Sequence, residues 1–407
     1  MASNRISGRF SFPVIWIKEG ETKVLVPKLE AFIEKPGDYA PSKAPVFYNP
    51  MMEMNRDFAV VVLQVFQRII GRSLTVCEPL AGCGVRGIRF AVETENVEKI
   101  VLNDINPEAF KLMTFNVEEN RLSEKIEVQS TDANLLLSLH AAPGKRFDYI
   151  DIDPFGSPVP YLDSSIRALK AGGLLALTST DLAPLCGVHP QACIRKYGAK
   201  PLRTEYCHEL ALRILLGCLA REAAKYEIGI EPVFSYYADH YVRTYTRIFH
   251  GAKKADQSIK QLGYIHHCYN CLNREVEHGL FNLEEKKCPI CGRKMALAGP
   301  LWTGKLADKD YCNELISEVE KRNFRNKKRM LKILDLIFGE VDAPPTYFDI
   351  EEISDKFGLL TPSPRKVVER LREEGFFAVL THFKGTAFKT DASSECIIKI
   401  VKELAES

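Results

Sequence analysis

The sequence predicts an α/β chain. A doubly wound, Rossmann-like domain spans residues 1–250, and a smaller α+β domain with a winged-helix-like tail spans 251–407. Three observations predict this. Between Arg56 and about residue 250, short aliphatic runs alternate with helical periodicity, as parallel strands joined by crossover helices require. The first run closes in G-x-G-x-x-G, namely Gly82-Cys83-Gly84-Val85-Arg86-Gly87. Past residue 251 the pattern changes to paired cysteines, a basic helical stretch, and then short helices with short strands.

The elements follow in order. Val14–Ile17 and Lys23–Val26 flank the polar turn Glu19-Gly20-Glu21 and predict a hairpin. Pro36-Gly37, Pro41 and Pro45 then break the chain. A helix from Asn55 to about Ile70 precedes the strand Thr75–Glu78. The helix Val85–Glu93 leads to the strand Lys99–Asp104, and the helix Pro107–Asn120 leads to Ile126–Val128. The strand Asp148–Asp153 follows, then a helix from Tyr161 to about Ala171. Gly172-Gly173 is expected to end that helix before the strand Leu174–Thr178. The stretch from 305 to about 339 reads as basic helix. After Pro344-Pro345, helices at Ile350–Phe357 and Arg365–Glu374 and strands at Phe376–Leu380 and Thr386–Lys389 complete the tail.

Composition narrows the class. With 46% hydrophobic and 27% charged residues the chain reads as a water-soluble globular protein. No apolar run approaches the roughly 20 residues that span a bilayer. Met1–Phe10 lacks the apolar core of a signal peptide, so a cytoplasmic location is expected, with the twelve cysteines as thiols. A formal charge of +2 does not advertise nucleic-acid binding. One run, Lys321-Arg322-Asn323-Phe324-Arg325-Asn326-Lys327-Lys328-Arg329, is nevertheless strongly basic. Such a run is either a solvated helix face or a phosphate-binding surface.

The glycines of 82–87 permit a tight turn and close approach of backbone to a ligand. Asp104, ending the next strand, can accept both hydroxyls of a ribose. Both features suit a dinucleotide as well as S-adenosylmethionine. Asp132-Ala133, after the third strand, is placed to meet an adenine amino group. Asp153-Pro154-Phe155-Gly156, after the fourth, discriminates between the two cofactors. A carboxylate and a carbonyl that accept the N–H bonds of a base's exocyclic amine push that poor nucleophile toward a tetrahedral, attacking form. The aromatic ring stacks on the base. A nicotinamide site has no evident use for this device, so methyl transfer is the expected chemistry.

The chain resembles the tRNA guanine-26 N2-dimethyltransferases. The resemblance rests on Phe47-Tyr48-Asn49-Pro50 with Asn55-Arg56-Asp57, Gly84-Val85-Arg86-Gly87-Ile88-Arg89, Asn103-Asp104-Ile105 and Asp153-Pro154-Phe155-Gly156-Ser157-Pro158. It continues through Thr180–Gly187, His189-Pro190, Lys196-Tyr197, Pro201-Leu202-Arg203 and Cys207-His208-Glu209, and resumes at Thr381–Gly385. It implies S-adenosylmethionine at Arg56, Gly82, Gly84, Arg86, Asp104, Asp132 and Ala133. It further implies Asp153 and the Pro154 carbonyl on the guanine amine, and Phe47 and Phe155 stacking on the guanine. The glycine loop departs from the family in carrying Cys83 where a small Ser or Thr is usual. Read without the resemblance, Arg56 also fits a surface ion pair, Asp104 a helix N-cap and Phe47 a core aromatic. Asp181, His189 and His208 fit structural or RNA-facing roles.

Cys268-x2-Cys271 and Cys288-x2-Cys291, separated by 16 residues, have the spacing of a four-thiolate structural zinc knuckle. Given the resemblance, residues 251–407, knuckle included, are expected to bind tRNA, with phosphate contacts from Lys321, Arg322, Arg325, Lys327, Lys328 and Arg329. Two other functions share the motifs: an amino methyltransferase acting on rRNA guanine or DNA adenine, and a non-catalytic RNA-binding protein. Intact cofactor glycines together with Asp104 and Asp153 speak against the second.

Overall fold

The structure, a computed structural model, describes residues 8–35, 40–281 and 285–406. The Pro36-Gly37 break and the first seven residues lie outside them. The chain forms two compact units. One holds the residues through Asp153 with Asp163–Ala176 and Glu314–Leu331, and the other holds Pro154–Leu162, Leu177–Asn313 and Lys332 onward.

In the first unit, β1 (Val14–Glu19) and β2 (Thr22–Pro27) form the expected antiparallel hairpin. Gly20 turns it with φ +54°, and a Cβ there would lie 2.2 Å from the Glu93 carboxylate, which accepts the Glu21 N–H. The parallel strands are β3 (Leu74–Glu78), β4 (Val97–Asn103), β5 (Ile126–Gln129) and β6 (Phe147–Ile152). β3 pairs with both β4 and β6, and β4 pairs with β5. β7 (Leu169–Ser179) begins in this unit; the seven-stranded sheet of the chain has the order β5-β4-β3-β6-β7-β9-β8, where β8 (Ile228–Ala238) and β9 (Tyr241–His250) belong to the second unit. The chain thus leaves β3 outward through β4 and β5, then returns to β6 on the other side of β3. Right-handed crossovers in opposite directions place their helices on opposite faces and open a crevice at the carboxyl ends of β3 and β6.

The helices that make these crossovers start where the sequence signals them. Glu53–Ile70 is buried along most of its length, and Val85–Glu93 has the predicted bounds. Pro107–Glu119 is capped by Asn106, whose side chain accepts the Glu108 N–H. Asp132 caps a helix not anticipated, Ala133–His140, by accepting the Leu135 N–H at 3.0 Å. Two expectations need correction. The helix expected at 161–171 is Leu162–Ala168, and Gly172-Gly173 lie within β7 instead of ending the helix. Gly172 takes φ +78°, and Gly173 lacks room, since a Cβ there would sit 2.8 Å from the Lys170 carbonyl oxygen. The strand–helix alternation also stops before residue 250, because β8 and β9 form an antiparallel hairpin.

In the second unit, β10 (Leu262–His267), β11 (Arg274–His278) and β12 (Ala296–Trp302) form an antiparallel sheet with β10 central. The tail follows as β13 (Phe348–Asp349), helices Ile350–Phe357 and Pro364–Glu373, β14 (Ala378–Leu380) and β15 (Ala387–Thr390). Preceded by the helix Lys327–Glu340, this is the helix–strand–helix–helix–strand–strand order of a winged helix, and Ser394–Glu406 adds a further helix. Its core joins Ile350, Ile353, Val367, Leu371, Phe388, Ile397 and Ile400 with Leu272, from the first cysteine turn. No helix among the described residues is long and apolar enough to cross a membrane.

At the start of β6, buried Asp148 accepts hydrogen bonds from Arg72 (2.5 Å), Lys170 (2.8 Å), and the Thr75 N–H (2.8 Å) and hydroxyl (2.9 Å). Burial pushes its carboxyl up, but these donors outweigh burial and hold it below the usual carboxylate range. A depressed folded-state pKa gives stability that is present above the unfolded value, about 3.9, and is lost as pH falls through the folded value. Asp148→Ala should therefore cost about 2 kcal/mol at pH 7 in urea unfolding, and the deficit should shrink in acid. An equal deficit at pH 3 and pH 7 contradicts this account.

Candidate active site

The loop after β3 begins the site. Gly82 and Gly84 take φ +57° and +78°, and a Cβ on Gly82 would stand 2.9 Å from the Phe47 carbonyl oxygen. Gly87 lets the following helix lie on β4, since a Cβ there would meet Leu102 at 2.2 Å. The Gly82 N–H donates to Asp104 Oδ2 at 2.9 Å, and Asn106 N–H donates to Oδ1 at 2.9 Å. The helix-cap role considered for Asp104 thus falls to Asn106. Asn103, not singled out from sequence, is buried and braces two loops. Its amide donates to the carbonyls of Pro79 and Thr131, and its oxygen accepts the Thr131 N–H, all at 3.0 Å. Cys83 is buried too, and burial pushes its thiol up to about 12, so the departure in the glycine loop is chemically quiet.

Period-two alternation puts Tyr149, Asp151 and Asp153 on one side of β6 and its extension. Two carboxylates on one face repel unless a cation separates them, and Arg86 supplies it. Its Nη1 bonds Asp151, and its Nη2 bonds both Asp153 and, at 2.9 Å, Asn55 Oδ1. Tyr149 donates its hydroxyl to Asp151 at 2.7 Å. Glu78 Oε1 lies 3.7 Å from Arg86 Nε. Burial pushes the Glu78 carboxyl up to about 8, with Arg86 opposing and Asp151 and Asp153 reinforcing the rise, so Glu78 is largely neutral at pH 7. Asp153 keeps 19% of its side chain open to solvent, while Asp151 is wholly enclosed. One guanidinium therefore fixes the orientation of the exposed carboxylate. Beyond it, Phe155 is 68% exposed. Gly156 exchanges hydrogen bonds with Thr180, which tether that turn.

Arg56 was read as a cofactor contact or a surface ion pair; it forms an ion pair, but a buried one. Its fork grips both Glu19 oxygens at 2.6 Å and the Asn49 carbonyl at 3.1 Å, with its guanidinium carbon 5.3 Å from the Tyr48 ring centroid. Arg89 shares Glu19 and also pairs with Asp57 and Glu93. Burial raises the Glu19 carboxyl, but Arg56 and Arg89 overcome it and hold it at about 2. This network fastens Phe47-Tyr48-Asn49-Pro50 to the hairpin, and with it the half-buried Phe47 beside the glycine loop. Both Arg56 and Arg86 are committed to protein oxygens.

In the second unit the four knuckle cysteines converge. Their sulfurs lie within 4.8 Å of one another, with Cys268–Cys291 and Cys271–Cys288 each at 3.4 Å. Each pair sits on a turn closed by backbone bonds, Leu272 N–H to Cys268 and Gly292 N–H to Cys288. Both turns need a left-handed residue, Leu272 (φ +59°) and Gly292 (φ +69°). The donor set suits a closed tetrahedral thiolate shell. Of the basic run, Arg322 is held by Glu318 and the Glu93 carbonyl, whereas Lys321, Arg325, Lys328 and Arg329 are exposed.

A switch-point crevice with a glycine turn, a carboxylate ending the neighbouring strand and an acid–Pro–aromatic turn across it belongs to the S-adenosylmethionine-dependent methyltransferases. Within that class, the family model for N2,N2-dimethylguanosine tRNA methyltransferase matches residues 20–402, and the chain belongs to this family. It is 39% identical to the tRNA (guanine(26)-N(2))-dimethyltransferase of Methanobrevibacter smithii, across 96% of this chain and 98% of that one. It is also 39% identical to the tRNA (guanine(26)-N(2)/guanine(27)-N(2))-dimethyltransferase of Aquifex aeolicus, across 95% and 96%. Among solved structures, Trm1 from Pyrococcus horikoshii in complex with S-adenosyl-L-methionine superposes with TM-score 0.83 at 38% identity, covering 95% of this chain and all of that one.

If Arg86 serves to separate carboxylates, Arg86→Met should cost about 3 kcal/mol in urea unfolding at pH 7, because two charges lose their partner. Adding Asp151→Asn should recover part of that loss. A double variant no more stable than Arg86→Met alone contradicts the assignment.

Proposed function

We propose that this chain is an S-adenosylmethionine-dependent tRNA (guanine-N2)-methyltransferase that adds one or two methyl groups to the exocyclic amine of G26, in the cytoplasm. The observation that carries the proposal is the Asp153 carboxylate, oriented by Arg86 at the end of β6 and followed by Pro154 and an exposed Phe155. Gly82, Gly84, Asp104, Asp132 and Ala133 hold the cofactor, which supplies an electrophilic methyl. Asp104 would accept the ribose hydroxyls with the lone pairs its two N–H contacts leave open, and Asp132-Ala133 would meet the adenine. Arg56 and Arg86 act chiefly from beneath, Arg56 through Asn49 and Arg86 through Asp153.

The chain's own part in the reaction is positioning. Phe47 and Phe155 stack on the extruded guanine and partly offset the cost of unstacking it. Asp153 accepts one N2–H and the Pro154 carbonyl the other, which localises the nitrogen lone pair toward the methyl donor. Asp153 then takes the proton released when the N–C bond forms. Once Asp153 has passed that proton to solvent and a fresh methyl donor has replaced the spent one, the remaining N–H can reach Asp153 again and a second transfer would use the same group. Residues 1–250 carry this chemistry and 251–407 grip the tRNA, with Cys268, Cys271, Cys288 and Cys291 holding a structural zinc ion.

Incubating the protein with labelled cofactor and tRNA transcripts, then identifying and mapping the modified nucleoside, tests the function. N2-methylated guanosine at position 26 is expected. Label on adenine, in rRNA only, or nowhere rejects the proposal, and label at position 27 extends it. In the same assay Asp153→Ala should lose at least about 10²-fold in single-turnover rate with cofactor affinity nearly unchanged. Retained turnover rules out Asp153 as the base.

The exposed Lys321, Arg325 and Lys328 are proposed to meet tRNA phosphates. Replacing all three with Ala should weaken tRNA binding and reduce the slope of log affinity against log salt by about 2–3. An unchanged slope means that this face points away from the RNA.

A further inference from the structure

Cys186, Cys207 and His208 take no part in methyl transfer and lie apart in sequence from the knuckle. We propose that these three side chains form a second metal site, for zinc or another thiophilic divalent ion, with one coordination position left open.

The geometry argues for it. The two sulfurs and an imidazole nitrogen lie within 4.8 Å of one another, the same limit that the knuckle sulfurs meet. In a tetrahedral shell with metal–sulfur bonds of about 2.3 Å and metal–nitrogen bonds of about 2.0 Å, the ligand atoms stand roughly 3.5–3.8 Å apart. At no more than 4.8 Å apart, the three donors need only small side-chain movements to reach that spacing.

Local structure explains why they converge. Cys186 is buried and closes the short helix Leu182–Leu185, its N–H bonded to the Leu182 carbonyl at 2.7 Å. Gly187 follows with φ +83°, and a Cβ there would lie 2.8 Å from the Arg203 nitrogen. That close approach draws Cys186 against the segment leading to Cys207. Cys207 and His208 are the first two residues of the 18-residue helix Cys207–Ala224, whose positive end favours a thiolate. The His208 ring stacks on Tyr237, with centroids 3.9 Å apart and planes 9° from parallel, so its nitrogens are fixed in direction. A dithiol built only to form a disulfide needs no imidazole at the same spot, whereas a metal shell does.

The site has mechanical reach. Thr180, six residues before Cys186, is hydrogen-bonded to Gly156 of the base-stacking turn. An ion on Cys186 therefore ties that turn, through residues 180–186, to the long helix. Binding displaces one proton from each thiol that is protonated, and the open position takes water.

The experiment counts metal in the full-length protein purified without chelator. Wild type should hold two zinc ions per chain, one lost in Cys271→Ser and the other in Cys186→Ser/Cys207→Ser. In the cobalt-substituted protein, thiolate-to-cobalt absorbance should fall by about one third in the Cys186/Cys207 variant, as six thiolates become four. His208→Gln, which leaves both thiols in place, should release one ion to chelator faster than wild type does. This keeps the proposal testable if the double variant fails to fold. A single zinc ion in wild type that only Cys271→Ser removes overturns the proposal. So does a Cys186–Cys207 disulfide found by mass spectrometry in that preparation.

Discussion

The charge pairing at Arg86 underlies the rest of the site. Strand alternation alone would bring Asp151 and Asp153 together on one side of β6, an arrangement that low polarity makes worse. A single guanidinium between them turns a repulsive pair into a rigid one. Because Arg86 belongs to the helix that begins in the glycine turn, the partly exposed Asp153 carboxylate and the glycine turn are referenced to the same piece of backbone. Burial of Glu78 completes the balance. Left ionised, it would make a third anion against one cation; raised to about 8, it sits there largely uncharged.

A second ionic cluster does similar work for Phe47. Glu19 on the hairpin is gripped by Arg56 and Arg89, and the Asn49 carbonyl completes the fork. Buried ion pairs add little net stability, but they set position strongly, because a misplaced partner leaves a bare charge. The N-terminal hairpin is thus a support for an aromatic residue that the sheet itself does not provide.

Much of this was legible in the sequence, for identifiable reasons. The helix Val85–Glu93 announced itself through the glycine that caps it and through its periodicity. The four-cysteine cluster announced itself through its spacing, and the structure brings the four sulfurs together. Asp153-Pro154-Phe155-Gly156 stood out because its chemistry is local. What stayed hidden depended on distant partners. Arg86 reads from sequence as a cofactor contact of the glycine motif, and its pairing stays hidden because Asp151 and Asp153 come 65 and 67 residues later. Asn103 entered only as a neighbour of Asp104 in a shared motif, with nothing to show that it joins two loops through three bonds. Gly172-Gly173 misled because a glycine pair usually ends a helix; here Gly172 answers to a left-handed turn and Gly173 to the Lys170 carbonyl packed against it. The β8–β9 hairpin is buried on both faces, so it lacks the alternation that marks a half-exposed strand.

Leu272 carries one more consequence. Its turn and that of Gly292 have the same backbone shape, and glycine adopts that shape without the roughly 1–2 kcal/mol that a side chain adds. Leucine persists in one of the two because its side chain fills the hydrophobic centre of the winged helix, a burial worth about 1.5–3 kcal/mol. Cysteine cluster and tail are therefore not interchangeable modules. A graft of the cysteine segment into another host would inherit the awkward backbone without the cavity that compensates it, and a tail cut free of the cluster would keep a hole where leucine belongs.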